Sequence, residues 1–329
     1  MSTIINNNAI TKMYKGDTPI YSFSINTGGN ITLTNIDITT NGTYTAPDGE
    51  GYKTINVDVP SGGGTGKIDV AATGIKLSHS TFREVPDIYD FSNVTDMTYM
   101  FSDCSSLQSI PNLNTSNATN MTYMFTGCAK LQNVPYFNTH NVTNMEYMFS
   151  GCTSLQSIPL LDTVNVQIMG GMFRDCSNVF EFPLLDTRNV TDMVCLFLNC
   201  NKITTIPQLD TTKVTNMIGM FYGCSSLQSI PLLECGKATL MNNFFGYFTI
   251  PTLTDLGGFK DLKISITSGF LDMLPNLTVE SLMNVINNVY DLTGNGLSGQ
   301  TLKFGQTNLD KLTPEQIAVA TAKGWTLTA

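Results

Sequence analysis

Apolar residues recur with a fixed period along the middle of the chain, and polar residues fill the positions between them. Four residue types each return every 24 residues, without an insertion, from about Asn93 to Phe245. The columns are Met97, Met121, Met145, Met169, Met193, Met217 and Met241; Phe101, Phe125, Phe149, Phe173, Phe197, Phe221 and Phe245; Cys104, Cys128, Cys152, Cys176, Cys200 and Cys224; and Pro111, Pro135, Pro159, Pro183, Pro207 and Pro231. A period of 20 to 50 residues indicates a solenoid or another repeat array.

Within one repeat the spacing predicts a helix followed by a strand. Met97, Met100, Phe101 and Cys104 follow the i, i+3, i+4, i+7 pattern of a short amphipathic helix. The segment 107–111 reads as a short strand that ends at its proline. One such unit cannot bury its apolar face alone, so we expect stacked coils with a parallel sheet, an α/β solenoid of the leucine-rich-repeat type.

The flanks predict three further regions. Alternating stretches at 31–34 and 54–59, with turn dipeptides at 41–42 and 48–49, predict a small β region that ends in the Gly-rich linker 60–66. Residues 67–90 are assigned to an N-terminal cap of the solenoid, and residues 91–250 to the solenoid itself. Residues 251–329 are expected to form a C-terminal cap with two helices, one capped at Thr278 and one beginning at Thr313-Pro314.

Charge and hydropathy exclude two classes of partner. The net charge is −9, and only 17 basic residues are spread along the chain. Nucleic-acid binding needs clustered Lys and Arg, so it is not expected. No stretch approaches the roughly 20 apolar residues of a membrane span, and the first ten residues lack the pattern of a secretory signal. We therefore expect no membrane insertion. Either an export signal has been removed or the protein does not use that route, and the second interpretation is the simpler one.

The cysteine and methionine columns invite a binding interpretation, but core packing explains them better. Zinc needs ligands that converge on a tetrahedron, whereas one cysteine per coil makes a column. Disulfides between neighbouring coils are disfavoured because the Cβ vectors point in parallel. We expect small buried thiols, a buried methionine stripe, and no metal or cofactor.

A turn column carries most of the regularly placed carboxylates. It consists of Asn114, Asn138, Asp162, Asp186, Asp210 and Glu234. These side chains are expected to cap backbone amides; cation binding through oxygen ligands is the alternative. A repeated position does not differentiate an acid from a base, and the two histidines, His79 and His140, join no catalytic arrangement. The chain is therefore expected not to be an enzyme.

Two variable rows are the candidate binding residues. Tyr99, Tyr123 and Tyr147 form an aromatic row in the first three repeats, and Gly171, Cys195 and Gly219 replace them in the next three. Gln108, Gln132 and Gln156 form a polar row on the predicted strands, which Gln228 joins later. Exposed tyrosine and glutamine rows favour contact with proteins or sugars.

The repeat unit Asn141–Pro159, NVTNMEYMFSGCTSLQSIP, resembles that of BspA-like leucine-rich-repeat surface proteins over about 91–251. That resemblance implies adhesion or recognition at a surface, with no catalytic residues. The segments 13–21 and 41–52 resemble short β modules of tailed-bacteriophage structural proteins. The two resemblances together predict a virion structural protein, a head or tail fibre or a decoration protein, whose solenoid presents a host-recognition face.

The predicted partners follow from this setting. Residues 1–66 are expected to contact other virion proteins, and the solenoid to contact a host surface glycan or protein; a homo-oligomer stays open. The alternative is a bacterial cell-surface adhesin with leucine-rich repeats. The two hypotheses predict a virion and a bacterial-surface location, respectively.

Overall fold

The computed structural model describes residues 91–329 except residue 93, and between residues 1 and 90 it describes only the backbone of strands. These strands are β1 Thr3–Asn6, β2 Ala9–Lys15, β3 Thr18–Ile25, β4 Ile31–Thr34, β5 Gly42–Tyr44, β6 Ile55–Val57, β7 Ile68–Asp69 and β8 Tyr89–Asp90. They form two four-stranded sheets in sequential order, antiparallel except for the β7–β8 pair. The predicted strand at 31–34 is confirmed as β4, and the one at 54–59 contains β6.

Several predictions for this part of the chain fall on residues outside the described ones. They are the turn at 48–49, the linker 60–66, and the N-terminal cap 67–90 beyond its two short strands. Of the predicted turn at 41–42, only Gly42 is described, as the first residue of β5. The chain divides into two compact units, Met1–Leu155 and Gln156–Ala329.

In both units the repeats stack through a backbone ladder that runs along the Met–Phe–Cys segment. In the first unit, the Met97 N–H donates to the Asn120 carbonyl (2.9 Å) and the Tyr99 N–H to the Thr122 carbonyl (3.0 Å). Phe101 and Asp103 continue the series with the residues 23 positions later. Every second N–H of the segment is therefore bonded to the following coil.

The alternate N–H groups close tight turns within the coil. The Met100 N–H returns to the Met97 carbonyl (3.1 Å), and the Cys104 N–H to the Phe101 carbonyl (3.2 Å). Each of these two turns has a positive φ at its third residue, 58° at Tyr99 and 60° at Asp103, as a type II turn requires. The result is a ribbon of overlapping turns, hereafter the turn ribbon, which comprises residues 97–104 of the first repeat and its equivalents.

The short helix predicted for each repeat is therefore wrong: the described residues 94–250 contain no helix. Eight residues are too few for a helix to be stable by itself, and half of the N–H groups that a helix would need are bonded to the next coil. The apolar spacing misled because a type II turn, whose first and last residues are three positions apart, also returns a side chain to the inner face. The spacing is real, but its cause is the turn.

The predicted parallel sheet is likewise reduced to fragments. In the first unit, the predicted strands at Gln108 and Gln132 are joined by one backbone bond, from the Gln132 N–H to the Gln108 carbonyl (3.3 Å), and neither segment is a regular strand. In the second unit, β9 Ser229–Ile230 pairs in parallel with β11 Asp255–Leu256, and β10 Leu233–Glu234 with β12 Phe259–Lys260. The proline that ends the predicted strand of each repeat has no N–H to donate, which keeps these strands short.

The core of each unit is a column of stacked side chains. Phe101, Phe125 and Phe149 are fully buried, with successive ring centroids 5.3 and 5.6 Å apart. In the second unit the Phe197 ring stacks on the Phe173 and Phe221 rings at 5.9 and 5.6 Å. The methionine column is also buried, from Met97 through Met241, which confirms its assignment to the core.

The C-terminal part of the second unit contains the helices. They are the 3₁₀ helix Leu271–Met273, α1 Val279–Asn288, α2 Gln306–Leu309 and α3 Pro314–Ala322, with the parallel pair β13 Gln300–Lys303 and β14 Trp325–Thr328. The two predicted helices are confirmed. Thr278 caps α1 by accepting from the Ser281 N–H, and Thr313 forms a capping box with Gln316 on α3.

The single-turn helix α2 was not predicted, because four residues are too few to show a helical period in the sequence. None of the described helices is long and apolar enough to span a bilayer.

Candidate functional site

The three tyrosines of the first unit occupy the strained position of the turn ribbon. Their φ angles are 58° at Tyr99, 56° at Tyr123 and 52° at Tyr147. This left-handed region is uncommon for any residue with a Cβ atom and is an outlier for a bulky one. The sequence does not reveal the strain, because only the structure assigns this column to the third residue of a type II turn.

The turn ribbon and its flanking side chains hold these tyrosines in place. The Tyr123 N–H donates to the Glu146 carbonyl (2.8 Å), and the Tyr147 carbonyl accepts from the Thr126 hydroxyl (2.7 Å). Just before the tyrosine, the Asn120 side chain accepts from the N–H and the hydroxyl of Thr122. The backbone around these rings is thus fixed by bonds within a coil and between neighbouring coils.

The three rings form a continuous stack, hereafter the tyrosine ladder. The Tyr99 and Tyr123 centroids are 4.8 Å apart with an interplanar angle of 12°, and the Tyr123 and Tyr147 centroids are 4.9 Å apart at 10°. Burial raises the pKa of the Tyr123 phenol, and the Glu146 carboxylate adds to the rise. The middle hydroxyl is therefore neutral at physiological pH.

The surface that the ladder offers consists mainly of ring edges. Tyr99 is 43% exposed, whereas Tyr123 and Tyr147 are half-buried. Each face of the Tyr123 ring is covered by a neighbouring ring, so a ligand would meet the edges and the hydroxyl side of the stack. A rigid aromatic strip of this kind suits contact with another macromolecule, since little side-chain entropy remains to be lost.

The second unit has the same turn without the tyrosines. Its equivalent residues, Gly171, Cys195 and Gly219, have φ angles of 59°, 53° and 61°. Two of these three are glycine, the residue that adopts a positive φ without steric cost. The turn ribbon therefore forms without an aromatic ring at this position.

The predicted glutamine row is exposed in both units. Gln108 and Gln132 are joined by the bond between the Gln132 N–H and the Gln108 carbonyl, while Gln156 belongs to the second unit. Gln156 and Phe180 line a shallow cleft of about 270 Å³. Phe180 holds the place of glutamine in its repeat and is 60% exposed, so the row is less uniformly polar than the glutamines suggest.

The asparagines and aspartates of the turn column cap backbone amides, as predicted, whereas Glu234 accepts from the Lys260 ammonium (2.6 Å). The Asp186 carboxylate accepts from the Arg188 N–H (3.2 Å), and the Asp210 carboxylate accepts from the N–H (3.0 Å) and hydroxyl (2.6 Å) of Thr212. The Thr212 hydroxyl holds the pKa of Asp210 below its usual value. Asn114 and Asn138 make the same bond in the first unit.

The cysteine column is buried, and none of the eight cysteines, all of which lie among the described residues, forms a disulfide. Beyond filling space, the thiols donate across coils: Cys128 Sγ lies 3.1 Å from the Phe101 carbonyl, and Cys224 Sγ lies 3.0 Å from the Phe197 carbonyl. Burial raises the pKa of both thiols far above the usual range. These cysteines are structural donors, a role that composition alone does not reveal.

The recurring asparagines of the N-x-T triplets also have a structural role. The Asn117 amide donates to the Ser92 carbonyl (2.6 Å), and the Asn141 amide to the Ser116 carbonyl (2.9 Å). His140, in the variable slot between the fixed columns, is exposed as expected.

Sequence reasoning missed the exposed apolar residues of the second unit. Leu184 lines an open groove of about 860 Å³ together with Arg188 and Asp210. Tyr247 and Phe248, beyond the last complete repeat, are 64% and 67% exposed. The signal for these two was present: Phe248 lies 24 residues after Cys224, so an aromatic residue stands where the cysteine column would continue.

Comparison with known proteins assigns the repeats to a family. The family model described as "Mycoplasma protein of unknown function, DUF285" matches residues 76–182 and 153–250, together just over half of the chain. This match confirms the predicted BspA-like repeat. No curated protein gives a significant match.

Solved structures of leucine-rich-repeat proteins also align with the chain, at low similarity. The leucine-rich-repeat protein of T. pallidum is 19% identical, with 49% of this chain and 81% of that chain covered and a TM-score of 0.29. The plant peptide hormone receptor RGFR1 in complex with RGF2 is 13% identical over 78% of this chain and 48% of that chain, with a TM-score of 0.26.

Proposed function

The chain belongs to the DUF285 family, and from this premise we propose that it is a non-enzymatic recognition protein that binds a surface molecule through the tyrosine ladder. The BspA-like repeat supports a role in surface adhesion or recognition. The observation that carries the proposal is the conformation of Tyr99, Tyr123 and Tyr147, three bulky residues held at positive φ on the surface.

Strain at this position argues for a role beyond folding. A residue with a Cβ atom in the left-handed region costs roughly 1 kcal/mol or more relative to glycine. Gly171 and Gly219 show that the turn ribbon accepts glycine there. The tyrosines therefore add strain that the fold does not need, and strained residues are concentrated at sites of function.

The chemistry of the ladder fits a contact surface. Tyrosine is among the residues enriched at binding hot spots because it combines apolar area with a hydroxyl group. The three stacked rings present these groups at intervals of 4.8 and 4.9 Å, on a backbone that is hydrogen-bonded to its neighbours. Such a preorganised strip loses little entropy when a partner binds.

The finer setting that we propose is a virion. The short resemblances at 13–21 and 41–52 to phage structural modules support a fibre or decoration protein that attaches through residues 1–66. The rival is a bacterial cell-surface adhesin. Mass spectrometry of purified particles separates them: stoichiometric recovery of this chain supports the virion, and recovery only in the cell-surface fraction contradicts it.

Binding of the labelled full-length chain to a panel of bacterial and animal cells tests the ladder. The variant Tyr99→Gly/Tyr123→Gly/Tyr147→Gly copies the glycines of the second unit and should keep the turn ribbon. We expect it to lose at least about tenfold in affinity, the equivalent of about 1.4 kcal/mol.

The matched control is Tyr136→Ala, because Tyr136 is an exposed tyrosine of the first unit outside the ladder. A second arm, Gln108→Ala/Gln132→Ala/Gln156→Ala, tests the glutamine row. If the ladder variant binds as well as the Tyr136 control, the ladder is not the site.

A further inference from the structure

A second aromatic surface lies in the second unit, where the repeat breaks down after Phe245. It is formed by Tyr222, Tyr247 and Phe248 and is hereafter called the aromatic corner. The Tyr222 ring stands at 86° to each of the other two rings, with centroid distances of 5.9 Å to Tyr247 and 6.1 Å to Phe248. The exposed rings of Tyr247 and Phe248 thus stand at right angles to the Tyr222 ring between them.

The local backbone is shaped to support this corner. The Tyr222 ring lies directly against Gly246, where a Cβ atom would come within 2.4 Å of the ring. The Asn243 amide donates to the Tyr247 hydroxyl oxygen (3.0 Å), and Asn243 in turn accepts from the Ser268 hydroxyl (3.2 Å). The hydroxyl oxygen of Tyr247 is therefore held as an acceptor, and its own proton can be donated to a ligand.

The exposure of Phe248 does not serve the repeat. The equivalent residue one period earlier, Cys224, is fully buried. Phe248 therefore does not contribute to the core as Cys224 does. Clusters of exposed aromatic residues mark interaction sites.

The sequence stretches that form and flank the corner are uncharged up to Asp272, which lies one period after Phe248. The stretches 214–233, 238–254 and 264–271 contain no Asp, Glu, Lys or Arg. An ionic ligand would find no countercharge on these stretches. Exposed ring faces next to amide and hydroxyl groups match a neutral sugar, whose C–H faces stack on aromatic rings while its hydroxyls exchange hydrogen bonds.

We propose that the aromatic corner binds a neutral hexose or N-acetylhexosamine unit of a glycan. One pyranose ring stacks on the exposed face of Phe248 or Tyr247, and a sugar hydroxyl accepts from the Tyr247 phenol. The middle ring of the tyrosine ladder cannot stack a sugar in this way, because both of its faces are covered by the neighbouring rings. The corner is therefore a site in addition to the ladder.

The test uses the full-length chain and immobilised neutral oligosaccharides of glucose, galactose, N-acetylglucosamine and N-acetylgalactosamine. The strongest hit is then titrated by calorimetry. We expect Tyr247→Ala and Phe248→Ala each to weaken binding at least about tenfold, the loss of one stacked ring. Tyr247→Phe, which keeps the ring and removes the hydroxyl, should fall between wild type and Tyr247→Ala.

Phe180→Ala is the matched control, since Phe180 is an equally exposed phenylalanine of the same unit. The ladder variant should retain glycan binding, so that failure of the ladder proposal and of this one can be told apart. The proposal is overturned if no neutral oligosaccharide binds, if binding survives Tyr247→Ala/Phe248→Ala, or if the chain binds only zwitterionic phosphatidylcholine vesicles, which would indicate a lipid-facing patch.

Discussion

The two units contain the same turn ribbon with different residues at its strained position. In the first unit the position holds Tyr99, Tyr123 and Tyr147; in the second it holds Gly171 and Gly219, with Cys195 between them. The backbone bonds and the buried phenylalanine column are alike in both. The difference teaches that the columns shared by all repeats encode the fold, whereas the position that changes between units carries the surface.

The strongest test of this comparison removes the shared core. Phe125→Ala in the first unit and Phe197→Ala in the second should each lower the free energy of unfolding by about 3–5 kcal/mol, because a large buried ring leaves a cavity. Urea unfolding of both variants measures this. A loss below about 1 kcal/mol in one of them would show that the two phenylalanine columns are not equivalent.

Substitutions at the strained position should give the next largest effect on stability, and the expected effect differs between the two units. Gly171→Ala should destabilise by about 1 kcal/mol, since alanine at a φ of 59° is strained. Tyr99→Gly should change stability by less than about 1 kcal/mol, because relief of strain offsets the loss of one stacked ring. Thermal unfolding checks both, with Gln156→Ala as a surface control; strong destabilisation by Tyr99→Gly would make the ladder a structural element.

Thiol chemistry distinguishes the strained position from the core. Cys195 is half-buried on the turn ribbon, and the other seven cysteines are buried. Titration with an aromatic disulfide reagent should therefore modify one thiol in the native protein and all eight in urea. Burial raises the pKa of the Cys195 thiol, so its reaction should accelerate as the pH rises above the usual thiol range.

The Cys195→Ser variant is the control for that measurement. Its native protein should show no fast-reacting thiol. Fast modification of two or more native thiols would contradict the burial of the cysteine column.

The smallest effect concerns the turn column, which is uncharged at Asn114 and Asn138 and acidic at Asp210. The folded-state pKa of Asp210 is lowered, so its stabilisation is present above the ordinary aspartate pKa of 3.8 and is lost as the pH falls through the lowered value. Thr212→Val removes the hydroxyl donor and should raise the Asp210 pKa, which an NMR titration of the carboxyl measures. An unchanged pKa would remove Thr212 as its cause.

The sequence predicted the periodic parts of the fold and missed the local geometry. The burial of the Met and Phe columns and the caps at Thr278 and Thr313 follow directly from spacing and residue type. The turn ribbon could not be predicted from spacing, because helices and type II turns return apolar side chains to one face at similar intervals. Which of them forms is decided by bonds to a coil 23 residues away, and a local pattern does not contain that information.

The candidate sites were predictable to different extents. The tyrosine row was found as a departure from the repeat, but its stacking and its positive φ angles needed coordinates. The aromatic corner was missed because Tyr222 and Phe248 belong to different columns, and only folding brings their rings to 6.1 Å. Break points of a repeat therefore merit as much attention as its variable rows.

The alternating bonds of the turn ribbon have an evolutionary consequence. Each coil is joined to the next by backbone bonds, such as the one from the Met97 N–H to the Asn120 carbonyl, and by the repeated core side chains that every copy carries. An in-frame duplication or deletion of one 24-residue repeat consequently restores the same junction on both sides. Recombination can change the number of coils, and with it the length of the ladder, while each new copy is already compatible with its neighbours.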